Sequence, residues 1–417
     1  MLNALSLIAL MQQAPPNFAE YLSKPDGTFG LTRTKPAEGV EEIRLVSQTW
    51  RGIAWKHDLT IVRPTRSGAG DVALLVVTGD RVAQDMVDAK RLAESAEMPV
   101  ATLFNVPNQP LWDLREDGLI AHSFSKFIES GEGDWPLLFP MTKSVLRAMD
   151  AIQSASPSIK RFVVTGLSKR GWTTWLVGAS GDPRVAGIAP GLYDFLNIPI
   201  QLQSQLKQWG KYSEMLADYS ERDLQSQAST PRGQQLVSMV DPYSYRAKIL
   251  SPTLVIRGSN DPYWTADATS IYWGQLKQPK WLLTLPNVGH GSGDGAAYYA
   301  TIGGFARACA GLLRMPALSA RIERGTQGSW GQEFLVTFTS RPGSVEDTVW
   351  IATSQNRDFR LAEWKAAARS KAPGARALRA AIDQSPYVAI FGESRFLING
   401  AEMVLSSPTR VFAKAKN

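Results

Sequence analysis

The sequence predicts an α/β protein, a mostly parallel doubly wound sheet followed by a small all-β unit. Three observations lead there. Short continuous apolar runs, too short for helices and bounded by Gly or Pro, recur between Ala73 and Leu285 with helix-patterned stretches between them. A polar, Gln-rich, helix-patterned insertion interrupts that alternation over residues 195–250. After Pro316 the alternation stops, and strand-like runs follow one another. The chain has 417 residues and 44% hydrophobic composition, which excludes disorder and is enough for one large core and a smaller second domain. The 45 Lys and Arg exceed the 38 Asp and Glu by seven, but the two signs are interleaved, so no nucleic-acid surface is indicated.

Taken in order, residues 43–47 and 59–62 form an antiparallel start joined through Arg51-Gly52. Residues 73–77 are a buried strand, 82–95 a helix and 100–104 a second buried strand, together one βαβ unit. A helix at 141–155, a strand at 161–165, a helix from Arg170 and a strand at 185–189 continue the pattern. The insertion, about 195–251, lies between strands and is expected to cover their ends as a lid. Strands at 253–256 and 281–285 and a helix at 296–313 complete a first domain over 17–316. Runs at 333–338, 348–352 and 387–391 make 317–417 a small β-sandwich. Within it, the Arg and Lys among Ala over 359–379 read as a solvated helix face.

The first 16 residues, with an apolar core from Leu5 to Met11, resemble a short secretory leader. No other apolar run reaches the roughly 18–20 residues a membrane span needs. Cys309 is the only cysteine, so neither an intrachain disulfide nor a cysteine metal site is expected; it reads as a small buried apolar residue on a helix.

The strand at 161–165 runs directly into Gly166-Leu167-Ser168-Lys169-Arg170-Gly171 and then a helix. A sharp strand–turn–helix of this kind strains the backbone at the serine and lifts its hydroxyl above the sheet, making Ser168 a candidate nucleophile. The second glycine comes three residues after the serine, because Arg170 occupies the usual place. A hydroxyl needs a base, and the chain has three histidines. Of His57, His122 and His290, only His290, in the loop after the last sheet strand, satisfies the order serine, acid, histidine. Asp261, in the turn after strand 253–256, is favoured as the acid; Asp194, after strand 185–189, is the alternative. The amides of Lys169 and of Gly79, in the turn after strand 73–77, are the candidate oxyanion hole. The Lys169 ammonium, were it to face the pocket, would favour acidic acyl groups. Trp172, Tyr263 and Trp264 adjoin these positions and are candidate substrate contacts.

With Ser47-Gln48-Thr49-Trp50, Trp55-Lys56-His57, Val106-Pro107-Asn108-Gln109-Pro110-Leu111, Arg115-Glu116-Asp117-Gly118, Pro140-Met141-Thr142-Lys143, Thr165 to Trp172, Asn260 to Trp264 and Pro286 to Gly291, the chain resembles the PhoPQ-activated pathogenicity-related protein family, a branch of the α/β-hydrolases, over about residues 18–364. The resemblance implies an α/β-hydrolase fold, a triad on Ser168, Asp261 and His290, and a secreted or periplasmic protein. A shorter likeness, over Ser168, Lys169 and Gly171 alone, is to glucuronoyl esterases. Together these readings make the chain a serine hydrolase working through an acyl-enzyme on a small-molecule carboxylic ester, carbohydrate- and uronate-linked esters included. No metal or organic cofactor is implied. The alternatives are a serine peptidase and a secreted, non-catalytic binding or signalling protein on the same fold.

Overall fold

The computed structural model describes residues 16–37, 40–66, 68, 70–328, 331–371, 376–382 and 385–413. The expected leader lies outside these residues apart from Pro16, which opens the short helix α1 (Pro16–Ser23). Nine strands form the main sheet: β1 (Gly30–Ala37), β2 (Val40–Trp50), β3 (Ile53–Val62), β4 (Val72–Val77), β5 (Val100–Leu103), β6 (Arg161–Leu167), β7 (Val185–Gly191), β8 (Thr253–Gly258) and β9 (Lys280–Leu285). Their order is β1-β2-β3-β5-β4-β6-β7-β8-β9. The first three strands and the β3–β5 pair are antiparallel; every pairing from β5 to β9 is parallel. The β2–β3 turn is Arg51-Gly52, both at positive φ, as a two-residue hairpin of matching twist requires.

Helices α2 (Ala83–Ala96), α3 (Glu116–Ser130), α4 (Leu138–Ala155), α5 (Lys169–Ala179) and, at the end of the sheet, α8 (Ala296–Cys309) cover it on both faces. Strand β4 shows why both faces are covered: Ala73, Leu75 and Val77 enter one apolar core with Met141, Val145 and Trp175, while Val72 and Leu74 enter the other with Leu92, Ile302 and Phe305. A strand apolar on both sides can exist only where both sides are dry. Cys309 is half-buried at the end of α8, where its Sγ stands against Gly187.

The insertion supplies α6 (Ile198–Trp209) and α7 (Pro231–Val240), with short turns of helix between them. Thr230 caps α7, its hydroxyl accepting from the Gly233 amide at 3.1 Å, and Pro231 occupies the first helical position where no amide is missed. Both necks of the insertion meet at the buried Asp241, whose carboxylate accepts from the amides of Ile198 and Asn197 at one end and Tyr243 at the other.

The chain after Pro316 forms two facing antiparallel sheets. One contains β10 (Ala317–Gly328), β11 (Gly331–Arg341) and β14 (Arg376–Ile382); the other contains β13 (Lys365–Ser370), β12 (Glu346–Ser354), β15 (Tyr387–Ile398), β16 (Ala401–Ser406) and, also on β15, β17 (Arg410–Ala413). Phe334, Val336 and Phe338 pack against Val349, Ile351 and Ile390 between them. The helix expected over 359–379 is absent among the described residues: the stretch holds β13 and the start of β14. Alternation of charge with Ala allows either structure locally, and the ladder with Val349 and Trp350 decides for an edge strand with its charges in water. The sandwich is docked on the main sheet, for Met403, Val404 and Leu405 of β16 share the core of α8 and β9. Among the described residues no helix is long and apolar enough to cross a membrane.

One polar knot lies inside this frame. His57 is buried, its Nδ1–H donating to the Phe104 carbonyl at 3.1 Å and its Nε2 lying 2.9 Å from Ser47 Oγ, which in turn meets Ser144 of α4 at 3.0 Å. Burial disfavours the imidazolium and lowers the His57 pKa from 6.5 to about 4. The unfolded chain therefore takes up this proton near pH 6.5 and the folded chain only near 4, so stability falls as pH drops through that window, by up to about 3 kcal/mol from this group. Urea midpoints at pH 7.5 and 4.5 check this: His57→Gln should be the less stable protein at pH 7.5 and should lose less than the parent on acidification.

Candidate active site

Strand β6 ends in a turn whose geometry follows from three glycines. Ser168 itself has φ 59° and ψ −126°, a strained conformation held by its amide donating to the Gly191 carbonyl at 2.9 Å and by its own carbonyl accepting from Trp172 at 3.0 Å. A Cβ on Gly166 would lie 2.9 Å from the Cβ of Arg170, and one on Gly171 would strike the Gly191 carbonyl oxygen. The position usually held by glycine tolerates Arg170 because Gly166 gives way to it and Gly79 leaves room for the guanidinium.

The structure brings Ser168, His290 and Asp261 into one line. Ser168 Oγ lies 2.7 Å from His290 Nε2, and His290 Nδ1 lies 2.8 Å from Asp261 Oδ2. Asp261 is buried and accepts the Tyr263 amide on its other oxygen at 2.9 Å, which fixes the carboxylate plane. Tyr263 packs its ring on the imidazole, centroids 4.4 Å apart. Asp194 lies elsewhere, in a buried cluster with Arg257 at 3.1 Å, Thr269 Oγ1 at 2.7 Å and Tyr272 Oη at 2.6 Å, so the geometry places Asp261, and not Asp194, against the histidine. His122 is on α3 between Trp112 and Trp135.

Two loops must touch for this line to form, since β8 carries the acid and β9 the histidine. Gly258 permits the contact: a Cβ there would strike the carbonyl oxygens of Val288 and Gly289. Asn260 donates its backbone amide to Val288 at 2.9 Å. The loop between β12 and β13 then holds both from outside. Asn260 Nδ2 donates to the Ala362 carbonyl at 2.7 Å, and Asn287 exchanges two hydrogen bonds with the Trp364 backbone, at 2.7 and 2.8 Å. Ser259 Oγ links the two asparagines, donating to Asn260 Oδ1 and accepting the Asn287 amide.

Lys169 is the first residue of α5, where the amide has no acceptor within the helix and sits at the positive end of its dipole. Gly79 lines, with Thr78, Gly166, Ser168 and Ser292, a cleft of about 260 Å³ on the same side of the nucleophile as Arg170. The Lys169 side chain is 10% exposed and makes ion pairs with Glu116 at 3.0 Å and Asp117 at 3.2 Å. Two carboxylates already occupy the ammonium, which removes the condition under which it would favour acidic acyl groups. Arg170 binds Glu116 bidentately at 2.7 and 2.8 Å and donates to the Val106 carbonyl. Burial on its own would raise the Glu116 carboxyl, but the Arg170 hydrogen bonds and the charges of Arg170 and Lys169 outweigh it and hold the pKa at about 2. Asp117 also accepts from Tyr219 Oη at 3.1 Å and Tyr263 Oη at 3.4 Å.

Glu116 and Asp117 had no role assigned from sequence. The available signal was the Lys169-Arg170 pair, because two largely buried cations directly behind the nucleophile need anions nearby, and Glu116-Asp117 opens a helix. Trp172, Tyr263 and Trp264 line a second chamber that also opens on Ser168; Trp172 stacks on Tyr193 at 4.7 Å and donates its indole N–H to the Val240 carbonyl at 2.6 Å.

Residues 18–360 match the model of the family described as PhoPQ-activated pathogenicity-related protein. Autocrine proliferation repressor protein A of Dictyostelium discoideum is 30% identical over 313 residues, covering 69% of this chain, which spans 63% of that relative's length. Among solved structures, acetyl xylan esterase 1 from Thermoanaerobacterium sp. JW/SL YS485 is similar with a TM-score of 0.50 and 14% identity, over 72% of this chain and 98% of that one. The acetyl xylan esterase of Paenibacillus sp. R4 is similar at TM-score 0.44 and 16% identity, over 70% and 91%. The shared architecture is the α/β-hydrolase fold.

The clamp on the histidine loop has a measurable consequence. Asn287→Ala removes two hydrogen bonds to Trp364 and should speed amide hydrogen exchange across 286–291 by about tenfold, leaving β10 to β17 as protected as before.

Proposed function

The chain belongs to the PhoPQ-activated pathogenicity-related protein family, and from that premise we propose that it is a serine hydrolase that cleaves carboxylic esters through an acyl-Ser168 intermediate. The observation that carries the reading is the unbroken line Ser168 Oγ, His290 Nε2, His290 Nδ1, Asp261 Oδ2, at 2.7 and 2.8 Å. In this reading His290 Nε2 takes the hydroxyl proton as Ser168 Oγ bonds to the ester carbonyl carbon. Asp261 holds the Nδ1–H tautomer and stabilises the imidazolium. The carbonyl oxygen becomes an oxyanion facing the amides of Lys169 and Gly79. Collapse breaks the bond to the alkoxide, which leaves with the proton from His290. A water, deprotonated by the same nitrogen, then attacks the acyl carbon and frees the acid and Ser168.

Lys169 and Arg170 support this chemistry indirectly. Paired with Glu116 and Asp117, they leave the base of the turn near neutrality, so the oxyanion is met by amide dipoles and not by a mobile cation. That pairing also removes the residue basis for a uronate-linked ester. A secreted or periplasmic site of action, expected from the leader and the family resemblance, belongs to this proposal as well.

Members of such a line act as a unit. Ser168→Ala and His290→Ala should each lower kcat on an activated ester by about a thousandfold or more, and the double variant should be little worse than either. Asp261→Asn should cost at least about a hundredfold. Asp194→Asn, which strands the buried Arg257, should instead lower the melting temperature while the folded protein keeps its kcat within about tenfold. Losses that multiply, or a kcat that collapses with Asp194 and survives at Asp261, would contradict the proposal.

A further inference from the structure

We infer that the second chamber beside Ser168 receives the acyl half of the ester, and that this acyl group is apolar and roughly four to six carbons long. The inference rests on the hydrolase reading above and names its substrate class. The chamber measures about 110 Å³. A cavity of about 150 Å³ takes a benzene ring, so this one takes a group slightly smaller.

Its walls decide the chemistry. Phe124 and Trp172 form the inner wall, from α3 and α5, and Leu202, Leu236 and Val240 close it from the insertion. Asp117 and Lys169 stand among the lining residues, but they are paired with each other at 3.2 Å, which leaves neither free to bind a charged acyl group. Tyr193 Oη and the Trp264 indole N–H are buried polar atoms of the lining with no hydrogen-bond partner among the described residues, enough to meet one or two hydroxyls; the remaining hydroxyls of a sugar would lie against aromatic and aliphatic walls, which is costly. An apolar chain meets no such cost and gains with each methylene it buries.

The two openings at Ser168 also separate the halves of the ester. The apolar chamber is lined by Ser168 and Lys169, whose amide would face the acyl oxygen, and His290 is among the walls of neither opening. The leaving alkoxide must receive its proton from His290. The cleft lined by Thr78, Gly79, Asp88 and Ser292 is more polar, larger at about 260 Å³, and contains Ser292, two residues beyond that histidine. An alcohol, polar by nature, belongs there, and the acyl chain in the chamber.

The test uses the full chain and 4-nitrophenyl acetate, butanoate, hexanoate and dodecanoate, with ethyl, butyl and hexyl acetate as a series varied on the alcohol side. From acetate upward kcat/KM should rise on the order of threefold to fourfold per added methylene, peak at butanoate or hexanoate, and fall by dodecanoate. Ala228, a small residue in the lining, is the place to narrow the chamber: Ala228→Phe should lower the hexanoate-to-acetate ratio by about tenfold. Leu236→Ala, which widens it, should move the peak to a longer ester, and thermal melting shows which variants are folded, so that either one alone suffices. A series that is flat or falls from acetate, a ratio unchanged in a folded Ala228→Phe protein, or a length preference confined to the alcohol series would overturn the inference while Ser168-dependent cleavage of acetate left the hydrolase reading standing. No Ser168-dependent cleavage of any ester would overturn both.

Discussion

Everything at the candidate site depends on the contact between the loops after β8 and β9, which sets a carboxylate beneath an imidazole. Parallel strands end on the same edge of a sheet, so their loops cluster there by topology alone. Clustering is not alignment, however. A site working at 2.7–2.8 Å needs loops that cannot drift, and here the restraint is backbone against backbone: Gly258 lets the two chains touch, and Asn260 ties them. The third loop, carrying Ser168, is separated from the acid by β7 and reaches it through the histidine. Its strained backbone is held by Gly191 at the end of that intervening strand. A substitution at one of these glycines therefore disturbs a relation between loops, not a single side chain.

The second organising feature is charge balance behind the nucleophile. Two largely buried cations directly after the serine would be costly if unpaired and would pull the site toward anions. Glu116 and Asp117, at the start of α3, neutralise them. Asp117 also bonds Tyr219 of the insertion and Tyr263 beside His290, so a single carboxylate joins the turn, the insertion and the acid loop. The sandwich after Pro316 belongs to the same construction. Its β12–β13 loop holds Asn260 and Asn287, and Arg360 from that loop reaches Glu214 in the insertion at 2.8 Å. These bonds make it a brace for the loops that carry Asp261 and His290.

Much of this was legible in the residues. Buried parallel strands announce themselves as short apolar runs, and the strand–turn–helix at Ser168 needed only its neighbours to be recognised. His290 followed from having three histidines and one chain order. What stayed hidden depended on contacts distant in sequence. The partners of Lys169 lie more than fifty residues away, and nothing local to Lys169 reveals them. The segment 359–379 misleads for the same reason: its Ala, Arg and Lys suit a helix, and only the ladder with β12 makes a strand of it. Edge strands such as β13 carry little apolar signal because one side faces water. The clamp of Asn260 and Asn287 on the β12–β13 loop was equally invisible, since asparagine in a loop ordinarily serves its own turn.

The central claim is that Ser168 is an activated nucleophile and that His290 activates it. A fluorophosphonate reacts covalently with such a serine and leaves a mass that can be assigned to one peptide. The account predicts a single adduct on Ser168 in the parent protein, none in Ser168→Ala, and labelling slowed by about a hundredfold or more in His290→Ala. An unlabelled parent, or equal labelling of all three proteins, would contradict it.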